Sequence, residues 1–283
     1  LDPNRQYSSP WEAYELLDAG GGKKLERFGD VITIRPELQA YFKSGLPFEE
    51  WNQLAHWEFV EKSNTKGSWK KLRSDAPDHW EIGFTDIQLK LELTKFKHVG
   101  IFPEQESNWR FISDNLRPGQ KFLNLFAYTG AASLVARSCN AEVLHVDSVR
   151  QLINWANENM TASNISGIKW VLEDALKFAQ REVKRGNKYD GIVMDPPAFG
   201  LGAKGEKWIL EEKLPALLEA ASALLNPKGF LIVNTYSPKL SAKELERTAQ
   251  KFLNPGKMQV SELWMKTKTG KDLFYGNVLK IIG

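Results

Sequence analysis

Cysteine is nearly absent: Cys139 is the only one among 283 residues. That excludes an internal disulfide and a cysteine-rich zinc site, and it suits a reducing, cytoplasmic setting. The four histidines (His56, His79, His98 and His145) show no metal-ligand spacing, so no metal is expected. No apolar run approaches the roughly 20 residues of a membrane span, and no secretory leader is visible, so no membrane partner is expected. The dinucleotide signature G-x-G-x-x-G is missing, and so is the lysine and following Ser/Thr of a P-loop. Charge of one sign is scarce as well. A net charge of +3 is too small to identify a nucleic-acid binder by itself.

What charge there is lies unevenly. Through Glu104 there are 14 basic residues against 17 acidic ones, and the remainder carries 24 against 18. The excess positive charge therefore falls on the later part of the chain, as surface charge or as attraction for an anionic substrate. Hydrophobic content of 42% and charged content of 26% are those of a globular protein with a full core.

The chain divides near residue 104 into a small β-rich N-terminal domain (1–104), a candidate for substrate recognition, and a larger domain (105–283). Residues 15–22 read as a strand entering a glycine turn. Lys24 to Arg35 reads as a hairpin pivoting at Gly29-Asp30. His56 to Val60, Trp80 to Phe84 and Ile87 to Leu93 are further strand candidates. Six of the ten tryptophans fall before residue 110 and are read as core more than as base-stacking rings. Lys62 to Arg73 holds five basic residues and no acidic one. A solvated hairpin tip accounts for it, with a nucleic-acid contact as the alternative.

After Ser107 to Asn115, a helix, strands and helices alternate. The strands are Lys121–Ala127, Glu142–Val146, Ile168–Leu172, Ile192–Met194 and Phe230–Thr235. The helices are Ala131–Ser138, Arg150–Met160, Ala175–Arg185, Lys207–Leu225 and Ala242–Leu253. Such alternation predicts an α/β, Rossmann-like sheet, mostly parallel and wrapped by helices. Two closing strands, near Val260–Lys266 and Phe274–Ile282, are joined by a hairpin signal, so one of them runs antiparallel.

Chemistry concentrates at strand ends. Ile192-Val-Met194 is a short apolar run that suits a strand buried on both faces. Asp195-Pro-Pro-Ala-Phe-Gly200 follows at its carboxyl end, where open α/β sheets bind ligands. Pro196 and Pro197 stop the ladder and stiffen the loop. The loop thus offers a carboxylate, backbone carbonyls and the ring of Phe199, the parts needed to hold a planar base by its amino group. Asn124-Leu-Phe-Ala-Tyr-Thr-Gly130 lies where the first strand of the alternation turns into its helix, a place for a nucleotide-type ligand. With a single glycine and bulky Phe126 and Tyr128, that turn suits a thioether or sulfonium chain better than a pyrophosphate. Asp147 and Asp174 end the next two strands, and Asp195 the one after. One acidic residue there is commonly a helix N-cap. Three on successive strands attract a cationic, adenosine-bearing ligand, with Asp147 on the ribose and Asp174 on the adenine amino group.

The order Asn124-Leu-Phe-Ala-Tyr-Thr-Gly, His145-Val-Asp-Ser, Glu173-Asp-Ala, Asp195-Pro-Pro-Ala-Phe resembles class I S-adenosylmethionine-dependent methyltransferases. More narrowly it is similar to the large-subunit (23S) rRNA enzymes that modify cytosine at carbon 5 or guanine at nitrogen 7. His98-Val-Gly-Ile-Phe-Pro-Glu-Gln, with Asn108 and Arg110 after it, is similar to the segment leading into their catalytic domain. The resemblance implies a seven-stranded sheet with a C-terminal antiparallel strand, S-adenosyl-L-methionine as donor (product S-adenosyl-L-homocysteine) and RNA as partner. It assigns Asn124, Phe126, Tyr128, Thr129, Gly130, Asp147, Ser148, Asp174 and Ala175 to the donor, with Glu104 and Gln105 at its methionine end. Asp195, Pro196, Pro197 and Phe199 become the acceptor-orienting group.

One departure matters. Cytosine-5 enzymes add a thiolate to the ring, and the resemblance places that cysteine within Asn234-Thr-Tyr-Ser-Pro238, where Tyr236 stands instead. A nitrogen acceptor is therefore expected. Tyr236 stands at the border of the substrate pocket or packs in the core. Lys204 and Lys207 contact phosphate or belong to a solvated loop. The other open readings are a methyltransferase for a small molecule or a protein, and a non-catalytic module holding donor or RNA.

Overall fold

The computed structural model describes residues 2, 4–63, 66–201 and 207–283. Two compact units make up the chain. One comprises Leu1–Gln6, Asn108–Leu263 and Gly276–Gly283; the other comprises Tyr7–Ser107 and Trp264–Tyr275.

Strand β1 (Arg5–Ser8) comes first. The β-rich unit follows with β2 (Tyr14–Gly20), β3 (Lys23–Phe28), β4 (Val31–Pro36), α1 (Phe48–Leu54), β5 (Trp57–Ser63) and β6 (Lys66–Lys71). These strands form one sheet in the order β2-β3-β4-β5-β6. β7 (His79–Phe84) and β8 (Ile87–Glu92) form a separate antiparallel pair. The expected hairpin is present, with Phe28 opposite Val31 across Gly29 at φ +60°. Helix α1 is an element the sequence reading lacks: seven residues are too few to display a helical period. Its Trp51 is fully buried beside Leu25, Ile34 and Ala55. The run Lys62–Arg73 spans the β5–β6 hairpin; Lys66, Lys70 and Lys71 are exposed along β6, an end strand of the sheet.

The fully buried Asp18 organises the loop before α1. It accepts hydrogen bonds from the N–H groups of Gly45 (3.0 Å) and Leu46 (2.7 Å), Trp51 Nε1 (3.0 Å) and Thr269 Oγ1 (2.5 Å). Glu26, also fully buried, takes both Arg35 Nε (2.7 Å) and Nη2 (2.8 Å), and Tyr14 donates to it at 3.0 Å. Charge-assisted pairing of this kind is what allows ions into a core.

Next in the chain come α2 (Glu106–Asn115), β9 (Lys121–Leu125), α3 (Ala131–Ser138), β10 (Glu142–Asp147), α4 (Arg150–Ala162), β11 (Ile168–Leu172), α5 (Ala175–Lys184) and β12 (Tyr189–Met194). Then follow β13 (Phe199–Leu201), β14 (Lys207–Ile209), α6 (Leu210–Leu224), β15 (Leu225–Thr235), α7 (Ala242–Ala249), β16 (Met258–Lys266) and β17 (Asp272–Ile282). The sheet order is β1-β16-β17-β15-β12-β9-β10-β11. Strands β15, β12, β9, β10 and β11 are mutually parallel, and β17 is antiparallel to β15. The Rossmann-like expectation holds, with β1 as an eighth strand beyond the seven. Only four residues long, β1 carries no usable periodicity.

Apolar residues on one face of the sheet, among them Leu123, Met194 and Leu231, form a core with Phe178 of α5 and Leu217 of α6. Gly191 leaves room for two rings: a Cβ there would lie 2.6 Å from Phe230 and 2.8 Å from Phe122. Some boundaries differ from expectation: β15 starts at Leu225 and not Phe230, and α7 ends at Ala249 and not Leu253. Helix α6 begins at Leu210, not Lys207, because Lys207–Ile209 pair antiparallel with Phe199–Leu201. Among the described residues no helix is long and apolar enough to cross a membrane.

Candidate active site

Strand register fixes which residues meet at the carboxyl edge of the sheet. Val146 lies opposite Leu125, Met194 opposite Leu125, and Asp147 opposite Leu172. The residues that follow, Phe126, Ser148, Glu173 and Asp195, therefore leave four adjacent strands at one edge.

The turn after β9 is tightly wound. Phe126 (φ +57°), Tyr128 (φ +53°) and Gly130 (φ +91°) all take left-handed backbone angles. For two aromatic residues this is strained and requires support from around them. Support is visible. Ala127 N–H donates to the Val146 carbonyl (3.1 Å), Tyr128 N–H to Asp147 Oδ2 (3.0 Å), and Asn159 Nδ2 to the Thr129 carbonyl (2.9 Å). A Cβ on Gly130 would stand 3.0 Å from Ala156 Cβ, so α4 can pack close to the start of α3.

Beneath the turn runs a buried polar chain: Asn124 donates to Ser133 Oγ (2.9 Å), which lies 3.0 Å from His145 Nδ1. Burial holds the His145 imidazole down to about 3, so it is neutral and structural. Asn124, Thr129 and Ala175 are buried, while Phe126, Tyr128, Asp174 and Asp195 are half-buried and Ser148 is exposed.

Asp147 is 8% exposed. Burial pushes its carboxyl up; the N–H groups of Val149, Tyr128 and Ser148 oppose this by stabilising the anion. Val149 N–H reaches Oδ1 at 2.9 Å and Tyr128 N–H reaches Oδ2 at 3.0 Å. Three N–H groups on about four lone-pair positions leave Asp147 an acceptor for a ribose hydroxyl. Asp174 serves as the N-cap of α5, accepting from Lys177 N–H at 2.9 Å. That role engages Oδ1 and leaves the other oxygen to the edge of the sheet. Glu173 is spoken for differently: it pairs with Arg181 at 2.6 Å. Two exposed apolar side chains flank these acids, Val149 (42%) and Leu172 (40%). Neither stands out in the sequence, because an isolated Val or Leu at a strand end is ordinary; their exposure makes them candidates.

The Asp195 loop is fixed at several points. Asp195 N–H donates to the Leu125 carbonyl (3.4 Å), Leu210 N–H to the Ala198 carbonyl (3.1 Å), and Trp208 Nε1 to the Pro197 carbonyl (2.7 Å). Pro196 is buried, Pro197 exposed, and the Phe199 ring is presented with 59% of its surface exposed. Tyr236 lies half-buried just beyond β15. Its neighbour Ser237 donates to Glu211 at the head of α6, and this hydrogen bond holds the Glu211 carboxyl below the usual range. Lys207 is exposed at the start of β14, and Lys204 lies outside the described residues. Glu104 and Gln105 belong to the β-rich unit, buried on the short 3₁₀ turn Pro103–Gln105. Among the described residues, no group of three or more His, Cys, Asp or Glu could hold a metal ion.

This edge fits a cationic, adenosine-bearing methyl donor on its own chemistry: three carboxylates, an apolar surface between them, and a turn too bulky for a pyrophosphate. The comparisons agree. A 32% identical relative over 156 residues is the ribosomal RNA large subunit methyltransferase K/L of Shewanella frigidimarina, the match covering 54% of this chain and 22% of that protein. The chain spans 22% to 24% of the length of such curated relatives. The crystal structure of a SAM-dependent methyltransferase from Agrobacterium tumefaciens superimposes with a TM-score of 0.92 at 34% identity, covering 100% of this chain and 94% of that one. A second methyltransferase, SMU.776, solved in complex with SAH, shares the fold with a TM-score of 0.79 at 18% identity, over 97% of this chain and 76% of that one. The family described as S-adenosylmethionine-dependent methyltransferase matches residues 35–258, and with that span the chain belongs to it.

Proposed function

We propose that this chain transfers a methyl group from S-adenosylmethionine to a nitrogen of an RNA base, in ribosomal RNA, in the cytoplasm. The observation that carries this reading is that Asp147, Asp174 and Asp195 stand at one edge of the sheet, at the ends of β10, β11 and β12 with β9 lying between β12 and β10, and the exposed Phe199 ring follows Asp195. When bound, S-adenosylmethionine supplies an electrophilic methyl group on a positively charged sulfur.

The chain's own residues do the rest by positioning and electrostatics. Asp147 accepts from a ribose hydroxyl while the N–H groups of Tyr128 and Val149 keep it ionised. Asp174 accepts from the adenine amino group, and Val149 and Leu172 offer apolar faces to the purine. Asp195 accepts a hydrogen bond from the acceptor base and so turns its nitrogen lone pair toward the donor. Phe199 stacks on that base, a contact any base can make. Tyr236, standing where a cysteine would add to a pyrimidine, cannot do so, which favours nitrogen over ring carbon. Lys204 and Lys207 are read as phosphate contacts. The N-terminal domain (1–104) is read as a substrate-recognition part, supported by the exposed lysines of β6.

RNA as the substrate is supported by the likeness to ribosomal RNA large subunit methyltransferases. Labelled donor offered with total RNA, a protein fraction and a small-molecule fraction tests the reading, followed by nucleoside mass spectrometry of the RNA. Label is expected in RNA, on a base nitrogen; label only in another fraction refutes it. Asp195→Ala is expected to abolish turnover while leaving donor affinity within a few-fold.

A further inference from the structure

Trp208 touches both loops that a transfer reaction must hold in register. Its ring packs against Phe126, on the turn after β9, with centroids 4.9 Å apart and planes inclined by 59°. Its indole N–H donates to the Pro197 carbonyl, in the loop after β12, at 2.7 Å. Those loops rise from neighbouring strands, since β9 and β12 are paired. Across the β13–β14 hairpin Trp208 stands opposite Gly200, where a Cβ would lie 3.6 Å from Trp208 Cβ and 3.9 Å from Pro197 Cγ. The indole is thus seated against the loop and is half-buried.

We infer that Trp208 is a positioning residue: through the Pro197 carbonyl and the Phe126 ring it fixes the distance between the acceptor-orienting Asp195 and the donor side of the site. The inference rests on the methyltransferase reading above. Its physical ground is that a transfer between two bound groups is sensitive to small displacements of either one. Prolines fix φ at 196 and 197 but leave ψ at Pro197 open, and the indole N–H closes that freedom. On the other side, Phe126 is held at φ +57°, a backbone setting that benefits from an aromatic neighbour holding its ring.

Trp208→Phe keeps a ring against Phe126 and deletes the N–H. Trp208→Ala deletes both contacts. With Trp208→Phe, kcat is expected to fall up to about tenfold, the upper worth of one hydrogen bond, while donor Kd stays within about twofold. Deuterium uptake in a peptide spanning residues 194–201 is expected to quicken without donor present. Trp208→Ala is expected to weaken donor binding as well, because Phe126 loses its neighbour. Unchanged kcat and unchanged uptake in Trp208→Phe overturn the inference. So does a loss spread evenly over kcat, donor Kd and uptake throughout the unit, which marks a merely structural residue. The underlying reading fails separately, when the wild-type chain takes up no donor; in that event the uptake of residues 194–201 still reports on the indole contact.

Discussion

Replacing Glu104 by glutamine should stabilise the protein, and by an amount that depends on pH. Glu104 is 5% exposed. Burial pushes its carboxyl up to about 7 from 4.5, Glu26 adds to the rise, and the cations of Lys24 and Arg35 oppose it. The folded chain therefore holds a proton that the unfolded chain has already released above pH 4.5. Stability from this group is complete below that pH and is lost as pH rises through about 7. At ~1.4 kcal/mol per pH unit of separation, the loss is about 3 kcal/mol at pH 8 and roughly 1.4 kcal/mol at pH 5.5. Glutamine keeps the size and cannot ionise. Glu104→Gln should thus gain about 2 kcal/mol more over wild type at pH 8 than at pH 5.5, or about 4–8 °C in Tm. The buried imidazoles of His98 and His145, both held down to about 3, contribute the opposite slope below pH 6.5. They are present in both proteins and cancel in the comparison. Urea unfolding of the pair at the two pH values measures the effect. A gap that is equal at both, or wider at pH 5.5, refutes the reasoning.

Two further expectations follow from the site. Asp147→Asn leaves one acceptor oxygen where Tyr128 and Val149 N–H groups now find two; donor affinity by calorimetry should drop about 10- to 100-fold, and unchanged affinity removes Asp147 from the site. Gly130→Ala places a Cβ at φ +91° and 3.0 Å from Ala156 Cβ, so chemical denaturation should show a loss of about 1–3 kcal/mol, whereas a neutral result means α4 moves away freely.

Much of the Rossmann-like unit is readable in the sequence because its elements are long enough to show their period. Ala131–Ser138 and Ile168–Leu172 come out with the expected ends. Elements that cannot show a period are missed: β1 has four residues and α1 seven. Lys207–Ile209 reads as helix because no local pattern announces its pairing with Phe199–Leu201. Among site residues, charge is legible and exposure is not. Asp147, Asp174 and Asp195 stand out at strand ends, whereas Val149, Leu172 and Trp208 look like any apolar residues until the surface around them is known. Asn124 illustrates the converse: a polar residue in the motif that the structure buries in a hydrogen bond to Ser133.

The carboxylate of Asp18 finds one of its donors, Thr269, 251 positions further along the chain. A ribosome delivers the polypeptide from its amino end, so the loop that leans on Asp18 waits for a donor made 251 residues later. Strands β9 to β12 have emerged well before then. The β-rich unit is begun before those strands and completed after them, and a fragment cut to residues 7–107 would carry a buried acid still short of the hydroxyl it was folded to meet.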